Sequence, residues 1–91
     1  MLRETPNDPV AVALAALAAT LGDERRAQRF LDLTGIGTDE LKRRAADPTL
    51  LAALIAFLEA HEPDLVAVAA EVGIDPSGLS AARRGLEDGA S

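Results

Sequence analysis

Two segments of the chain, residues 10–21 and 50–58, contain no charged side chain, and charged positions return on both sides of them. A helix that is apolar on all sides belongs at the centre of a bundle or against a partner. In the segment between them, apolar and charged residues alternate with the spacing of a helix, which places Ala27 and Phe30 on one face and Arg25 and Arg29 on the other. There is no β-branched run and no period-2 alternation. The pattern therefore predicts an all-α fold.

Aspartate–proline pairs and glycines mark the ends of the predicted helices. Asp8, Asp47 and Asp75 each precede a proline, which suits an N-cap followed by the first helical residue. Asp23 and Thr38 are further predicted caps, and Gly22, Gly35 and Gly73 are predicted left-handed stops. The six predicted helices span residues 9–21, 24–33, 39–46, 48–60, 63–72 and 76–87. We expect a compact bundle of five to six short helices, with a tail at 1–7, one domain at 8–88 and a tail at 89–91.

The chain contains a weak internal repeat. The Asp–Pro pair that begins at Asp8 recurs at Asp47, and the pair Gly35–Ile36 recurs as Gly73–Ile74. Two pseudo-repeated three-helix halves would account for this, and so would coincidence among helices rich in alanine and leucine. In the first apolar helix we expect the stripe of large residues to face inward and the alanines to form a smooth opposite side. That stripe consists of Val10, Leu14, Leu17 and Leu21.

Composition narrows the chemistry available to the protein. The chain has 91 residues, no cysteine, one histidine and a net charge of -6. We therefore predict no catalytic residues, no metal site, no cofactor and no enzymatic activity, and we expect His61 to act as a cation at a helix C-terminus. The acidic balance disfavours nucleic acid and anionic membranes, and the apolar segments are shorter than the roughly 20 residues of a span. A cytoplasmic location is the expectation.

Six cationic side chains concentrate the basic charge in the middle of the chain. Acidic residues interleave with them, so a solvated, ion-paired face is one interpretation, and a surface for an anionic protein partner is the other. The six are Arg25, Arg26, Arg29, Lys42, Arg43 and Arg44.

The last third of the chain has the spacing of a helix-turn-helix. Ala69 lies four residues before Gly73, and Leu79 lies six after it, which packs two helices at a steep angle. The alternative function is therefore a DNA-binding regulator that uses residues 64–86. Its contacts would come from Ser77, Ser80, Arg83 and Arg84.

Local motifs along the chain resemble a known family. The run from Arg29 through Phe30 and Leu31 to Gly35, the start at Pro48 and the segment 65–73 are similar to the domain of unknown function 3572 family. The resemblance implies a small helical bacterial protein and supplies no activity, cofactor or catalytic residue. Our main hypothesis is a non-catalytic protein–protein interaction module whose partner is another protein or a second copy.

Overall fold

Six α-helices and no strand make up the part of the chain that the structure, a computed structural model, describes: residues 8–90, with side chains for 8–88. The predicted tail at 1–7 lies outside the described residues. The helices are α1 Pro9–Leu21, α2 Glu24–Thr34, α3 Thr38–Arg43, α4 Pro48–Glu59, α5 Glu62–Val72 and α6 Pro76–Ala90. The all-α prediction is confirmed, and α6 continues two residues past the predicted domain end at 88.

The aspartate caps form as the sequence predicts. The Asp8 carboxylate accepts from the backbone N–H groups of Val10 and Ala11, at 3.0 and 3.4 Å. Asp23 and Asp47 cap α2 and α4 in the same manner. A carboxylate here satisfies N–H groups that have no partner inside the helix, so these boundaries follow from local chemistry alone.

Three predicted ends differ from the observed ones. Gly22 has φ -74°, because its N–H bonds to Ala18 in a continuing right-handed turn, whereas Gly35 and Gly73 are left-handed at 72° and 89°. Thr38 is the first residue of α3, and Gly37 is the N-cap without a side-chain hydrogen bond. His61 directly follows the C-cap of α4 and is the N-cap of α5, which begins at Glu62, one residue before the predicted start. Its expected role as a cation at the end of α4 stays a prediction.

Helix α4 forms the centre of the bundle and packs against α6, α1 and α5. It carries six of the buried residues, among them Leu51, Leu54, Ile55 and Leu58, each with no exposed surface. Helix α1 also packs against α4, α5 and α6. The two uncharged helices therefore meet in the core.

The buried side of α1 differs from the predicted stripe. Its buried residues are Val12, Ala13, Ala16, Leu17 and Thr20. Leu14 and Leu21 lie outward with 37% and 39% of their surface exposed, and of the predicted stripe only Leu17 is fully buried. The alanines at 13 and 16 let α1 approach its neighbours closely, and Thr20 donates its hydroxyl to the Ala16 carbonyl. One apolar side of α1 thus faces outward.

Gly85 on α6 allows the start of α1 to approach. A Cβ atom built at Gly85 would lie 2.8 Å from Cγ of Pro9, a stiff ring on the first turn of α1. At Gly78 the nearest atom is the flexible end of Ile74, at 3.3 Å. Gly85 is therefore required by packing, although glycine lowers intrinsic helix stability.

We expect Gly85→Ala to lower the free energy of unfolding by about 1 kcal/mol, since overpacking at Pro9 costs more than the helix gain of roughly 1 kcal/mol. Gly78→Ala is the matched control and should be neutral or stabilise by up to about 0.5 kcal/mol. Urea unfolding followed by circular dichroism measures both. A Gly85→Ala protein that is more stable than the parent would show that Pro9 can move away from the added methyl group without loss of stability.

Candidate interaction surfaces

The six predicted cationic side chains do not form one cluster. Arg25, Arg26 and Arg29 line a polar pocket, Lys42 lines a separate apolar groove, and Arg44 lies between Glu40 and Asp47. Within the described residues, the side chains of Lys42 and Arg43 make no hydrogen bond or ion pair. The ion-paired interpretation therefore holds for Arg26, Arg29 and Arg44. The interpretation of the other three as a surface for an anionic partner stays a prediction.

Arg26 is a structural residue that joins three helices. Its guanidinium donates to the Ala19 carbonyl of α1 at 3.3 Å and to the Glu71 carboxylate of α5 at 3.1 Å. Its Nε lies 3.9 Å from Asp64, and the residue is 9% exposed. An arginine so enclosed and so fully paired is not available to a partner.

Arg29 is paired on one side and open on the other. It forms an ion pair with Asp64 across to α5, and its guanidinium lies 5.8 Å from the centre of the Phe57 ring. Its side chain is 43% exposed, so part of it still faces solvent.

The polar pocket lies where the first turn of α2 meets the start of α5 and has a volume of about 250 Å³. Its lining residues are Asp23, Arg25, Arg26, Arg29, His61 and Asp64. Backbone donation from Arg26, followed by the charge of that residue, holds the pKa of Asp23 below its usual range. The pocket thus contains three guanidinium groups against two carboxylates that already have partners.

Arg44 closes the corner between α3 and α4. It donates to Asp47 at 3.1 Å and to Glu40 at 3.3 Å, and these two carboxylates raise its pKa. The backbone N–H of Thr49, followed by Arg44, lowers the pKa of Asp47. A carboxylate whose pKa is lowered by folding stabilises the fold at pH values above the ordinary pKa of aspartate. That contribution is lost as the pH falls through the lowered pKa. The Asp47 cap therefore acts at neutral pH and weakens only in acid.

The outward side of α1, which we call the α1 surface, carries no charge over three turns. Its exposed residues are Ala11, Leu14, Ala15, Ala18 and Leu21. It leads into an apolar groove of about 360 Å³ between α1, α2 and α3. The apolar lining of the groove consists of Leu17, Leu21, Ala27, Leu31, Leu41 and Ala45, and Thr38 and Lys42 complete it.

Comparison with known proteins identifies the family. A family model described as a protein of unknown function (DUF3572) matches residues 6–89. The chain belongs to this family. The resemblance noted in the sequence is thereby confirmed. Neither the curated proteins nor the solved structures include a match to the chain.

The α5–α6 pair has the angle of a helix-turn-helix, with its two helices bent by 92° about the left-handed Gly73. Two of the four predicted DNA contacts are engaged within the protein. Ser80 and Arg83 both donate to the Glu59 carboxylate, at 2.5 and 2.6 Å, and Glu59 followed by Glu87 raises the pKa of Arg83. Ser77 and Arg84 are exposed. Of the four predicted DNA contacts, only Ser77 and Arg84 can therefore meet a nucleic acid without breaking a hydrogen bond inside the protein.

The described residues also bear on two other kinds of site, a metal site and a membrane span. No group of three histidine, aspartate or glutamate side chains there is placed to hold a metal ion. No single described helix has both the length and the hydropathy to cross a bilayer, and α5 with α6 meets those criteria only as a sharply bent pair.

Sequence reasoning missed the partners of the basic residues and one apolar neighbour of the pocket. Leu33, at 70% the most exposed large apolar side chain among the described residues, lies with Arg29, Asp32 and Phe57 around an open depression. The signal for Leu33 was present, since it stands among Arg29, Asp32 and other outward positions of α2. No local signal could have paired Arg29 with Asp64, which is 35 residues further along the chain.

Proposed function

We propose that this protein is a non-catalytic protein-binding module that receives one amphipathic helix of another protein on the α1 surface. The observation that carries the proposal is the uncharged outward side of α1, which leads into an apolar groove. Apolar grooves beside a helix are recurrent binding sites for the apolar face of a partner helix. The alanines of α1 favour the close approach of a second backbone.

The size of the α1 surface favours one helix over a whole domain. α1 has 13 residues, which corresponds to a length of about 20 Å. A standard interface between two proteins needs roughly 800 Å² from each partner, which is more than three turns of one helix provide. A single partner helix with large apolar side chains three, four and seven residues apart fits this surface. Its side chains would pack against Leu14 and Leu21 and enter the groove between α1 and α3.

Photo-crosslinking in the cell that makes the protein tests this proposal. A photoreactive phenylalanine derivative at Ala18, on the α1 surface, should crosslink to a partner segment with an amphipathic helical sequence. Leu14→Gln with Leu21→Gln should reduce the crosslink at least tenfold, because each change places a polar amide where the partner buries apolar side chains. Val66→Gln, a change of an exposed apolar residue on α5, is the matched control and should leave the crosslink unchanged.

Two outcomes would overturn the proposal. A crosslink that persists in the double variant would show that the α1 surface is not the binding site. A crosslink to a second copy of the chain, supported by a dimer in light scattering, would replace the partner helix with self-association.

The alternative DNA-binding function is favoured by the α5–α6 angle and opposed by the internal engagement of Ser80 and Arg83. Its test is a binding measurement with duplex DNA at several salt concentrations. Genuine binding should weaken steeply as salt rises and should fall in Arg84→Ala. Absence of binding at low salt would remove this function.

A further inference from the structure

The polar pocket has more hydrogen-bond donors than the protein itself uses. Within the described residues, the Arg25 guanidinium and the His61 ring make no hydrogen bond or ion pair. An arginine offers five N–H donors, and a histidine ring offers at least one. Neither carboxylate of the pocket pairs with the Arg25 guanidinium or the His61 ring, because Asp23 accepts from two backbone N–H groups and pairs with Arg26, and Asp64 pairs with Arg26 and Arg29. The pocket is therefore complementary to an additional anionic acceptor.

An apolar depression continues from this pocket and shares Arg29 with it. Leu33 stands on its rim with 70% of its surface exposed, and the half-buried Phe57 ring forms its floor beside the Arg29 guanidinium. Arginine, an aromatic ring and an exposed leucine in contact are the residue types and arrangement of interface hot spots. A ligand that fills both regions must carry a carboxylate close to a large apolar side chain.

We infer that the polar pocket and the Leu33–Phe57 depression form one binding site for a peptide segment of another protein that presents an acidic residue beside a large apolar one. The ligand carboxylate lies between Arg25, His61 and the open side of Arg29. The neighbouring apolar side chain packs on Leu33 and Phe57. The charge of the polar pocket supports this occupant, since three guanidiniums face two carboxylates there while the whole chain carries a net charge of -6. Asp32 is the one carboxylate that lines the depression. This site lies on α2, α4 and α5 and is separate from the α1 surface.

Three blocked tetrapeptides added to the ¹⁵N-labelled protein test the inference by NMR titration. Ac-Leu-Glu-Glu-Leu-NH₂ offers both orders of acidic and apolar residue and should shift the amide signals of residues 25, 29, 33, 57 and 61. Ac-Leu-Gln-Gln-Leu-NH₂ should bind at least tenfold more weakly, because it lacks the charge-assisted hydrogen bonds. Ac-Ala-Glu-Glu-Ala-NH₂ should bind about three- to tenfold more weakly, because it lacks the apolar anchor.

Variants of exposed residues separate the site from the rest of the protein. Arg25→Ala should weaken the acidic peptide five- to tenfold and Leu33→Ala about threefold, and neither residue supports the core. Arg84→Ala removes the same charge from another surface and should leave binding unchanged, as should Leu14→Gln on the α1 surface. Because Leu14 lies on the α1 surface, unchanged peptide binding in the Leu14 variant shows that this site does not depend on the proposed function.

Three results would overturn the inference. The first is equal binding of the neutral and acidic peptides, and the second is a set of shifts that avoids residues 25 to 33. The third concerns the source of the anion. If inorganic phosphate shifts the same signals and binds as tightly as the acidic peptide, the site holds a free anion and not a peptide segment.

Discussion

Phe30→Ala should destabilise the protein by about 3–5 kcal/mol, the usual cost of removing a fully buried aromatic ring. Phe30 has no exposed surface and meets the Phe57 ring edge-on, with the centroids 5.4 Å apart. An aromatic pair of this geometry adds roughly 0.5–1.5 kcal/mol to the burial of its surface. Because small domains are stable by only about 5–15 kcal/mol, the loss should lower Tm by roughly 15–30 °C.

The expected damage is concentrated in α2. Phe30 and Arg26 are the only buried residues of that helix, so the ring is its main apolar anchor. Native-state hydrogen exchange of Phe30→Ala should therefore show lost protection along α2 while α4, with six buried residues, keeps most of its own. Calorimetry and hydrogen exchange on the same variant measure the two effects.

Leu33→Ala is the matched control, since Leu33 occupies the same helix with 70% of its surface exposed. Its effect on the free energy of unfolding should stay within about 0.5 kcal/mol. A loss below about 1 kcal/mol in Phe30→Ala would contradict the assignment of the ring to the core.

The helix boundaries could be predicted because their causes are local. An aspartate just before the first residue of a helix caps it with its own carboxylate, and a glycine can adopt the left-handed turn that ends one. The caps at Asp8, Asp23 and Asp47 and the stops at Gly35 and Gly73 all follow this rule. Each of these features requires information from only three or four neighbouring residues.

The rotation of α1 could not be predicted, for a related reason. An amphipathic helix such as α2 marks its outward side with charges, but residues 10–21 contain none. Size alone then predicts that the larger side chains, Leu14 and Leu21 among them, face the core. In the structure, alanines take two of those places, because close contact with α4, α5 and α6 leaves no room for larger groups.

The candidate sites depend on contacts between residues far apart in the chain. The excess of basic side chains at 25–29 is visible in the sequence, but the pairing of Arg26 and Arg29 with Asp64 and Glu71 requires the packing of α2 beside α5. The sequence therefore identifies the charged residues, and only the fold separates the buried Arg26 from the available Arg25.

Arg26→Met should lower the free energy of unfolding by about 2–3 kcal/mol. Methionine keeps the apolar stem but leaves the Ala19 carbonyl without its side-chain donor and leaves Asp64 with Arg29 alone. Losing one partner of a fully buried ion pair costs about 3–5 kcal/mol, and the value here is reduced because the Glu71 carboxylate is half exposed. Arg26→Lys should recover only part of the loss, since one ammonium group cannot reach the acceptors on both α1 and α5.

A double-mutant cycle shows whether the ion pair or the shape of the side chain is responsible. Asp64→Asn in the parent and in Arg26→Met should give a coupling energy of roughly 1–2 kcal/mol. Side-chain exposures of 11% and 14% shield this pair from solvent ions, so the coupling should persist in 1 M NaCl, where an exposed pair would be screened. An Arg26→Met protein as stable as the parent would show that the stem alone holds α2 against α5. In that case the guanidinium of Arg26 would be as free as that of Arg25 to serve the polar pocket.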